Sequence, residues 1–304
     1  GGHHTASLAS ASPVTDGVGV FAHFGTHGLY CLDIYGNLRW SKQLGEMHTK
    51  HGHGEGSSPA LHEDTLLVNW DHEEQSFLVA LDKATGKERW RRDRQEVTSW
   101  SSPLILKLDG RTQAIVCGTE RVRSYDVASG DVIWECGGLS ANVVATPVAS
   151  DGILYVGSSY DKRALMAIRL AGARGDITDG DHVLWRRTRG TPYVPSPLLY
   201  DESLYYLTHY QNVMTRIEAK TGTDAPGAMR LGPLGNIYAS PVGAAGRIYV
   251  TDLDGVTLVL SHSDVPRTIA VNPLGEKVCA SAAIVGEEIF LRGDKHLFCL
   301  AEED

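Results

Sequence analysis

The stretch VALDKATGKERW, residues 79–90, combines the end of an apolar segment, a turn that contains glycine, and a second segment that closes on tryptophan. Two weaker copies follow, RSYDVASGDVIW at residues 123–134 and TRIEAKTG at residues 215–222. Apolar and polar residues that alternate between Asp and Gly turns predict short antiparallel strands. Because the unit recurs along the chain, the sequence predicts a repeat architecture.

A second marker gives the period of the repeat. A Ser or Thr followed by Pro and an apolar residue recurs at Pro13, Pro59, Pro103, Pro147, Pro197 and Pro241, with a degenerate Ser-Ala-Ala copy at Ala282. The spacings are 46, 44, 44, 50, 44 and 41 residues. Four short strands in a unit of this length are typical of a β-propeller blade.

We therefore predict an all-β protein, a seven-bladed β-propeller of four-stranded antiparallel blades. Residues 1–304 form a single domain in this interpretation, with blades that start near residues 12, 58, 102, 146, 196, 240 and 281. Tryptophans close the fourth strand of the first four units, and Leu231 and Val271 lie near the equivalent place in units five and six. We expect these tryptophans, Trp40, Trp90, Trp134 and Trp185, to pack between blades.

The last unit is shorter than the others. Residues 281–304 supply three predicted strands. Either a strand upstream of Gly1 completes this blade, or the blade has three strands and exposes an edge.

Composition limits the class of protein. The chain has 304 residues, of which 42% are hydrophobic and 21% charged, and no apolar run is long enough to cross a bilayer. The formal net charge of −9 disfavours binding to nucleic acid. The basic run RWRRDR at residues 89–94 is interpreted as a solvated strand end. Five cysteines without a CxxC pair predict neither a zinc knuckle nor a dense disulfide framework.

Residues 79–90 and their copies resemble the repeat of the PQQ-like, or quinoprotein-type, β-propellers, A-x-D-x-x-T-G-K-x-x-W, and the similarity extends over essentially the whole chain. Quinoprotein alcohol dehydrogenases of this family have eight blades and a disulfide between adjacent cysteines above the quinone. This chain has seven units and no Cys-Cys dipeptide. The resemblance therefore implies the cofactor-free branch, which includes a scaffold lipoprotein of outer-membrane protein assembly, and a periplasmic or otherwise extracytoplasmic location.

Histidines gather on one predicted face of the propeller. Loops that join strand two to three, and strand four to the next blade, lie on the same face, and here they are long and varied. Nine of the 13 histidines fall in these loops or the segment leading into them: His3, His4, His23, His27, His48, His51, His53, His72 and His209. The opposite face has tight structural turns, where His62, His182 and His262 are expected at the surface.

The variable face provides the candidate site residues. Imidazoles and carboxylates suit a divalent metal or acid–base chemistry, and the candidate metal ligands are His23, His51 and His53. Aromatic rings among hydrogen-bonding groups suit polar ligands. The predicted ligand-face residues are His3, His4, His27, Glu55, Trp70, His72, Trp100, Tyr193 and Tyr238.

Two classes of function remain open from the sequence. The first is an extracytoplasmic binding or scaffold protein for a small polar ligand, with carbohydrate as one candidate, or for a protein partner. The second is an enzyme, either a carbohydrate lyase or hydrolase or a quinone-dependent dehydrogenase. The sequence has no nucleophile elbow and no phosphate-binding loop in a strand-to-helix context. No organic cofactor is expected, and a divalent metal ion is left open.

Overall fold

The computed structural model describes residue 3 and residues 9–209 and 211–301 of the chain. Within these residues the secondary structure consists of 28 strands and two short 3₁₀-helices, Gly25–His27 and Lys50–Gly52. No helix among them has the length and apolar character needed to cross a membrane.

The strands form seven sheets in chain order. Blade 1 contains β1 (Val14–Thr15), β2 (Gly19–His23), β3 (Leu29–Asp33) and β4 (Leu38–Lys42). Blade 2 contains β5 (Ala60–His62), β6 (Thr65–Trp70), β7 (Ser76–Asp82) and β8 (Glu88–Arg94). Blade 3 contains β9 (Leu104–Leu108), β10 (Arg111–Cys117), β11 (Arg121–Asp126) and β12 (Val132–Gly137). Blade 4 contains β13 (Val148–Ser150), β14 (Ile153–Ser158), β15 (Ala164–Arg169) and β17 (Val183–Arg187), with β16 (Gly175–Asp176) in the segment between the last two.

The remaining blades follow the same plan. Blade 5 contains β18 (Leu198–Tyr200), β19 (Ser203–Leu207), β20 (Val213–Glu218) and β21 (Asp224–Arg230). Blade 6 contains β22 (Val242–Ala244), β23 (Arg247–Thr251), β24 (Val256–Ser261) and β25 (Thr268–Pro273). Blade 7 contains β26 (Ala283–Val285), β27 (Glu288–Arg292) and β28 (Leu297–Leu300).

This topology confirms the predicted seven-bladed β-propeller. Six sheets contain four antiparallel strands in chain order, with β16 skipped in blade 4, and blade 7 has three strands among the described residues. Strand β16 adds a fifth, parallel strand to blade 3 beside β12, which the sequence interpretation did not include. Each predicted blade start lies two residues before the first strand of its blade.

The Ser-Pro step has a structural explanation. The backbone N–H of each residue before the proline donates a hydrogen bond to the hydroxyl of the equivalent residue in the next blade, with N···O distances of 2.9–3.1 Å. The residues of this hydroxyl ladder are Ser12, Ser58, Ser102, Thr146, Ser196, Ser240 and Ser281. Since first strands of neighbouring blades also contact each other, the ladder joins the blades at their inner ends.

Tryptophans join the blades at their outer ends. The indole N–H of Trp90 donates to the carbonyl of Val127 in the next blade at 2.8 Å, and the ring covers Gly130, where a Cβ would lie 2.6 Å from it. Trp40 on Gly86 and Trp185 on Gly222 repeat this contact. A turn glycine is needed because any side chain there would displace the indole.

Three positions differ from this pattern. Trp134 is fully buried and donates to Gln113 at 3.3 Å, because the β15–β17 segment replaces the glycine turn in blade 4. In blades 5 and 6 the strand register places Gly227 and Ala270 where the tryptophans stand. The sequence interpretation placed Leu231 and Val271 near these positions, but they lie four residues and one residue farther along the chain. In blade 5 the turn has the same length as in blade 2 and the bulge in β21 is longer, whereas in blade 6 the turn is one residue longer.

Candidate functional site

The loop at residues 43–59, between blades 1 and 2, lies on the variable face; we call it the mouth loop. The backbone N–H of Lys50 donates to Thr98 Oγ1 at 2.9 Å. Its ammonium group donates to Asn142 Oδ1 at 2.7 Å and lies 4.7 Å from the centre of the Tyr160 ring. The mouth loop therefore contacts the loops that follow blades 2 and 3 as well as blade 4.

The glycines of HGHGEG explain how this loop folds. Gly52 and Gly54 have φ angles of +65° and +87°, and His51 also adopts a left-handed conformation with φ +56°. The Gly54 carbonyl accepts a hydrogen bond from the Trp100 indole at 2.8 Å. A Cβ on Gly56 would lie 2.9 Å from the same ring. The glycine spacing thus lets the backbone lie directly on Trp100.

Five of the predicted residues converge at this mouth. The His53 ring centre lies 4.7 Å from His3, 5.4 Å from His51 and 6.2 Å from Trp100. The backbone N–H of His3 donates to the His53 carbonyl at 3.0 Å, and its ring lies 6.3 Å from Tyr238 in the loop between blades 5 and 6. His3 therefore connects loops from two distant parts of the ring. The predicted residue His4 lies outside the described residues.

Trp70 and His72 do not reach the accessible face. Trp70 is 1% exposed and stacks on Phe77 within the core of blades 1 and 2. His72 is 3% exposed; its Nδ1 accepts from the His48 N–H and its Nε2–H donates to the Gln75 carbonyl. These two assignments to a ligand face are therefore corrected: neither side chain is open to a ligand, because all six residues of β6 are buried and His72 ties two loops together.

The other predicted residues occupy separate places. His27 is exposed at the end of the first 3₁₀-helix. Tyr193 stacks on His209 with ring centres 5.4 Å apart. His27 and Tyr193 both lie on variable-face loops. The ring contacts described above do not connect either residue to the cluster around His53.

Glu55, in the mouth loop, and His23, at the end of β2, line the space beneath this loop. Glu55 Oε1 accepts hydrogen bonds from the Thr26 N–H at 3.0 Å and the Thr26 hydroxyl at 2.8 Å. Burial alone would raise the pKa of Glu55, but these hydrogen bonds outweigh it and lower the pKa, so the carboxylate is ionised. His23 is 2% exposed, and burial lowers the pKa of its imidazole, which favours the neutral form.

The three predicted metal ligands do not form one cluster. His23 is buried with its ring 5.7 Å from Trp70, whereas His51 is exposed on the mouth loop. Among the residues that the structure describes, no group of three or more His, Cys, Asp or Glu side chains is placed to hold a metal ion. The set His23, His51 and His53 is therefore corrected, since burial separates its first member from the other two.

The sequence interpretation did not predict a buried ionic network that lies beside the mouth. Arg94, the last residue of RWRRDR, is 5% exposed and donates to both Asp71 oxygens at 2.8 and 3.0 Å. Glu96 pairs with Arg123 on the far side. A Cβ on Gly118 would lie 2.6 Å from Glu96, so the glycine makes room for the network. The run is a solvated strand end at Arg91 and Arg92, but not at Arg94.

Two cavities accompany the mouth. A small chamber of about 10 Å³ lies beneath the mouth loop, between blades 1 and 2, with Trp100 on one wall. An open groove of about 380 Å³ lies on the loops of blades 5 and 6, lined by Gln211, Asn212, Arg230, Leu234, Gly235 and Asn236. The chamber is too small for a sugar, and the groove is a shallow polar surface.

Comparison with known proteins agrees with this architecture. Residues 3–226 match the family model described as outer membrane protein assembly factor BamB, of the PQQ-type repeats. The chain belongs to this family. No curated protein matches the sequence significantly. The crystal structure of BamB from Moraxella catarrhalis superposes with a TM-score of 0.73 at 16% identity, over 95% of this chain and 84% of that one. At this identity the likeness shows the fold alone, and 892 solved chains share it.

Proposed function

We propose that this protein is a non-catalytic scaffold that holds a protein partner at the mouth of the propeller, in an extracytoplasmic compartment. The observation that carries the proposal is the convergence of His3, His53, Trp100 and Tyr238 from separate parts of the ring. Hydrogen bonds between these segments hold His3 to His53 and Trp100 to Gly54, so a partner would meet a surface ordered in advance.

The shape of the mouth favours a protein over a small ligand. The chamber beneath the loop has room for a single water-sized sphere, whereas Tyr160 stands 44% exposed beside Lys50 on the surface. Tyr and Trp are enriched in protein interfaces because they combine apolar area with a polar group. The location follows the family, whose model is described as an outer membrane protein assembly factor.

A cross-linking experiment tests the proposal. A photoreactive phenylalanine replaces Tyr160 at the mouth in one variant and Tyr35, 84% exposed on the tight-turn face, in a matched control. In cells of the native host we expect one cross-linked partner from position 160 and none from position 35. A Lys50→Ala change should reduce that yield, because Lys50 holds the loops of blades 1 and 3 together.

Two outcomes contradict the proposal. Equal cross-linking from both faces would show that the mouth is not the interface. A substrate that the purified wild-type protein turns over, and that a His51→Ala/His53→Ala variant does not, would show that the mouth is catalytic.

A further inference from the structure

The small chamber between blades 1 and 2 is lined largely by polar side chains. It is enclosed by the ends of β2 and β6 and by the mouth loop, and its lining residues are His23, Met47, Thr49, Glu55, Gly56, Ser57, Asn69, Ser99 and Trp100. Its volume of about 10 Å³ accommodates one water-sized sphere. Any occupant is therefore a single atom or a single water molecule.

Two buried polar atoms among these lining residues have no hydrogen-bond partner. They are His23 Nε2 and Asn69 Oδ1, on residues that are 2% and 1% exposed. Buried polar atoms are nearly always satisfied, so an orphaned pair in the lining of one cavity indicates a missing occupant. An occupant that contacts both atoms would satisfy both.

The hydrogen bonds made by the other polar atom of each side chain show that His23 Nε2 and Asn69 Oδ1 both carry a free lone pair. His23 Nδ1 lies 3.4 Å from the Ser57 carbonyl, which can only accept, so Nδ1 carries the proton and Nε2 has a free lone pair. The Asn69 amide nitrogen donates to Asp71 and Ser99, which leaves Oδ1 as an acceptor. The occupant therefore presents a positive charge or only hydrogen atoms.

Glu55 adds a negative charge to the same wall. Its carboxylate accepts hydrogen bonds from Thr26 and forms no salt bridge with Lys or Arg among the described residues. A half-buried anion without a cation is unfavourable in a medium of low polarity. This charge favours a cation over a water molecule.

We propose that the chamber is a binding site for one divalent transition-metal ion of the zinc or manganese class, with His23 Nε2, Asn69 Oδ1 and the Glu55 carboxylate as ligands. An imidazole ligand disfavours calcium and magnesium, which take oxygen ligands. The Ser57 carbonyl holds the imidazole by Nδ1–H, as carbonyl groups do behind metal-bound histidines. The ion links blade 1, blade 2 and the mouth loop. This ligand set keeps His23 from the sequence prediction and replaces His51 and His53.

Calorimetry on untagged, chelator-treated protein tests the site with Zn²⁺ and with Mn²⁺ alone. We expect one ion per chain and a higher melting temperature in its presence. Glu55→Gln keeps the shape of the side chain and its bonds to Thr26 but removes the charge, and should weaken binding by about tenfold or more. His23→Phe should abolish stoichiometric binding. The matched control His27→Phe changes an exposed histidine in the segment that follows β2, and it should bind as wild type.

Other results overturn the proposal. Binding that survives His23→Phe and Glu55→Gln but is lost in His51→Ala/His53→Ala would place the ion on the surface histidines. No binding at millimolar metal, with a crystal structure that shows a water molecule in the chamber, would identify the occupant as water. If His23→Phe fails to fold, Glu55→Gln decides. Because metal is measured directly, the result is independent of whether the mouth binds a partner.

Discussion

At the scale of single residues, two glycines of blade 1 share a backbone region but differ in surroundings. Gly25 has φ +51° and Gly36 has φ +86°. A Cβ on Gly25 would lie 2.1 Å from Glu55 Cγ, whereas a Cβ on Gly36 would meet nothing within 4 Å. Gly25 is therefore required both by its conformation and by the close approach of Glu55.

This contrast predicts different costs for the same substitution. Gly36→Ala should lower the free energy of unfolding by about 1 kcal/mol, from backbone strain alone. Gly25→Ala should lower it by about 2 to 4 kcal/mol, because the added methyl group also displaces Glu55. Urea denaturation of both variants measures the difference. Equal losses would show that the Glu55 contact is not required, and Glu55→Ala in the Gly25→Ala background should recover part of the stability.

At the scale of elements, the hydroxyl ladder connects first strands that share no sheet. Ser102 lies in its middle: its hydroxyl accepts from the Ser58 N–H at 2.9 Å, and its own N–H donates to Thr146 Oγ1 at 3.1 Å. The ladder accepts either hydroxyl residue, since Thr146 takes the same position in blade 4. Each of the six ladder bonds gives an acceptor to the backbone N–H of the residue before a proline.

Ser102→Ala should therefore destabilise the protein by about 1 to 3 kcal/mol, because the Ser58 N–H loses its acceptor in a partly buried place. Ser102→Thr is the matched control and should stay close to wild type. Thermal and chemical unfolding of the two variants gives the comparison. Similar losses for both would mean that the volume of the side chain matters, and not the hydrogen bond.

At the scale of the whole molecule, blade 7 differs from the rest of the ring. Strand β28 pairs with β27 alone among the described residues, and Leu297 and Leu300 on it are 69% and 42% exposed. On neighbouring blade 1, Gly36 has no tryptophan above it, unlike Gly86 and Gly130. The seam between blades 7 and 1 thus lacks both a fourth strand and its indole contact among these residues.

We expect blade 7 to open before blade 2 in this chain. Strand β6 is buried at all its positions, whereas most residues of β27 and β28 are exposed or half-buried, so local opening exposes less apolar surface in blade 7. Hydrogen exchange followed by mass spectrometry should show faster exchange in peptides of residues 283–300 than in those of residues 60–94. Equal protection in the two regions would show that the ring opens as one cooperative unit.

The sequence by itself determined the fold, because a repeat of turn glycines, tryptophans and Ser-Pro steps records local geometry that recurs in every blade. It also placed His3, His51, His53, Trp100 and Tyr238 on one face, since strand alternation decides which end of a blade each loop occupies. Only the tertiary structure decided which of these loop residues are accessible. Trp70, His72 and Arg94 look like surface groups in the sequence, but contacts between blades bury them. The chamber that His23 and Asn69 line likewise lies between strands from different blades, and packing across that seam leaves no mark in the local pattern of either strand.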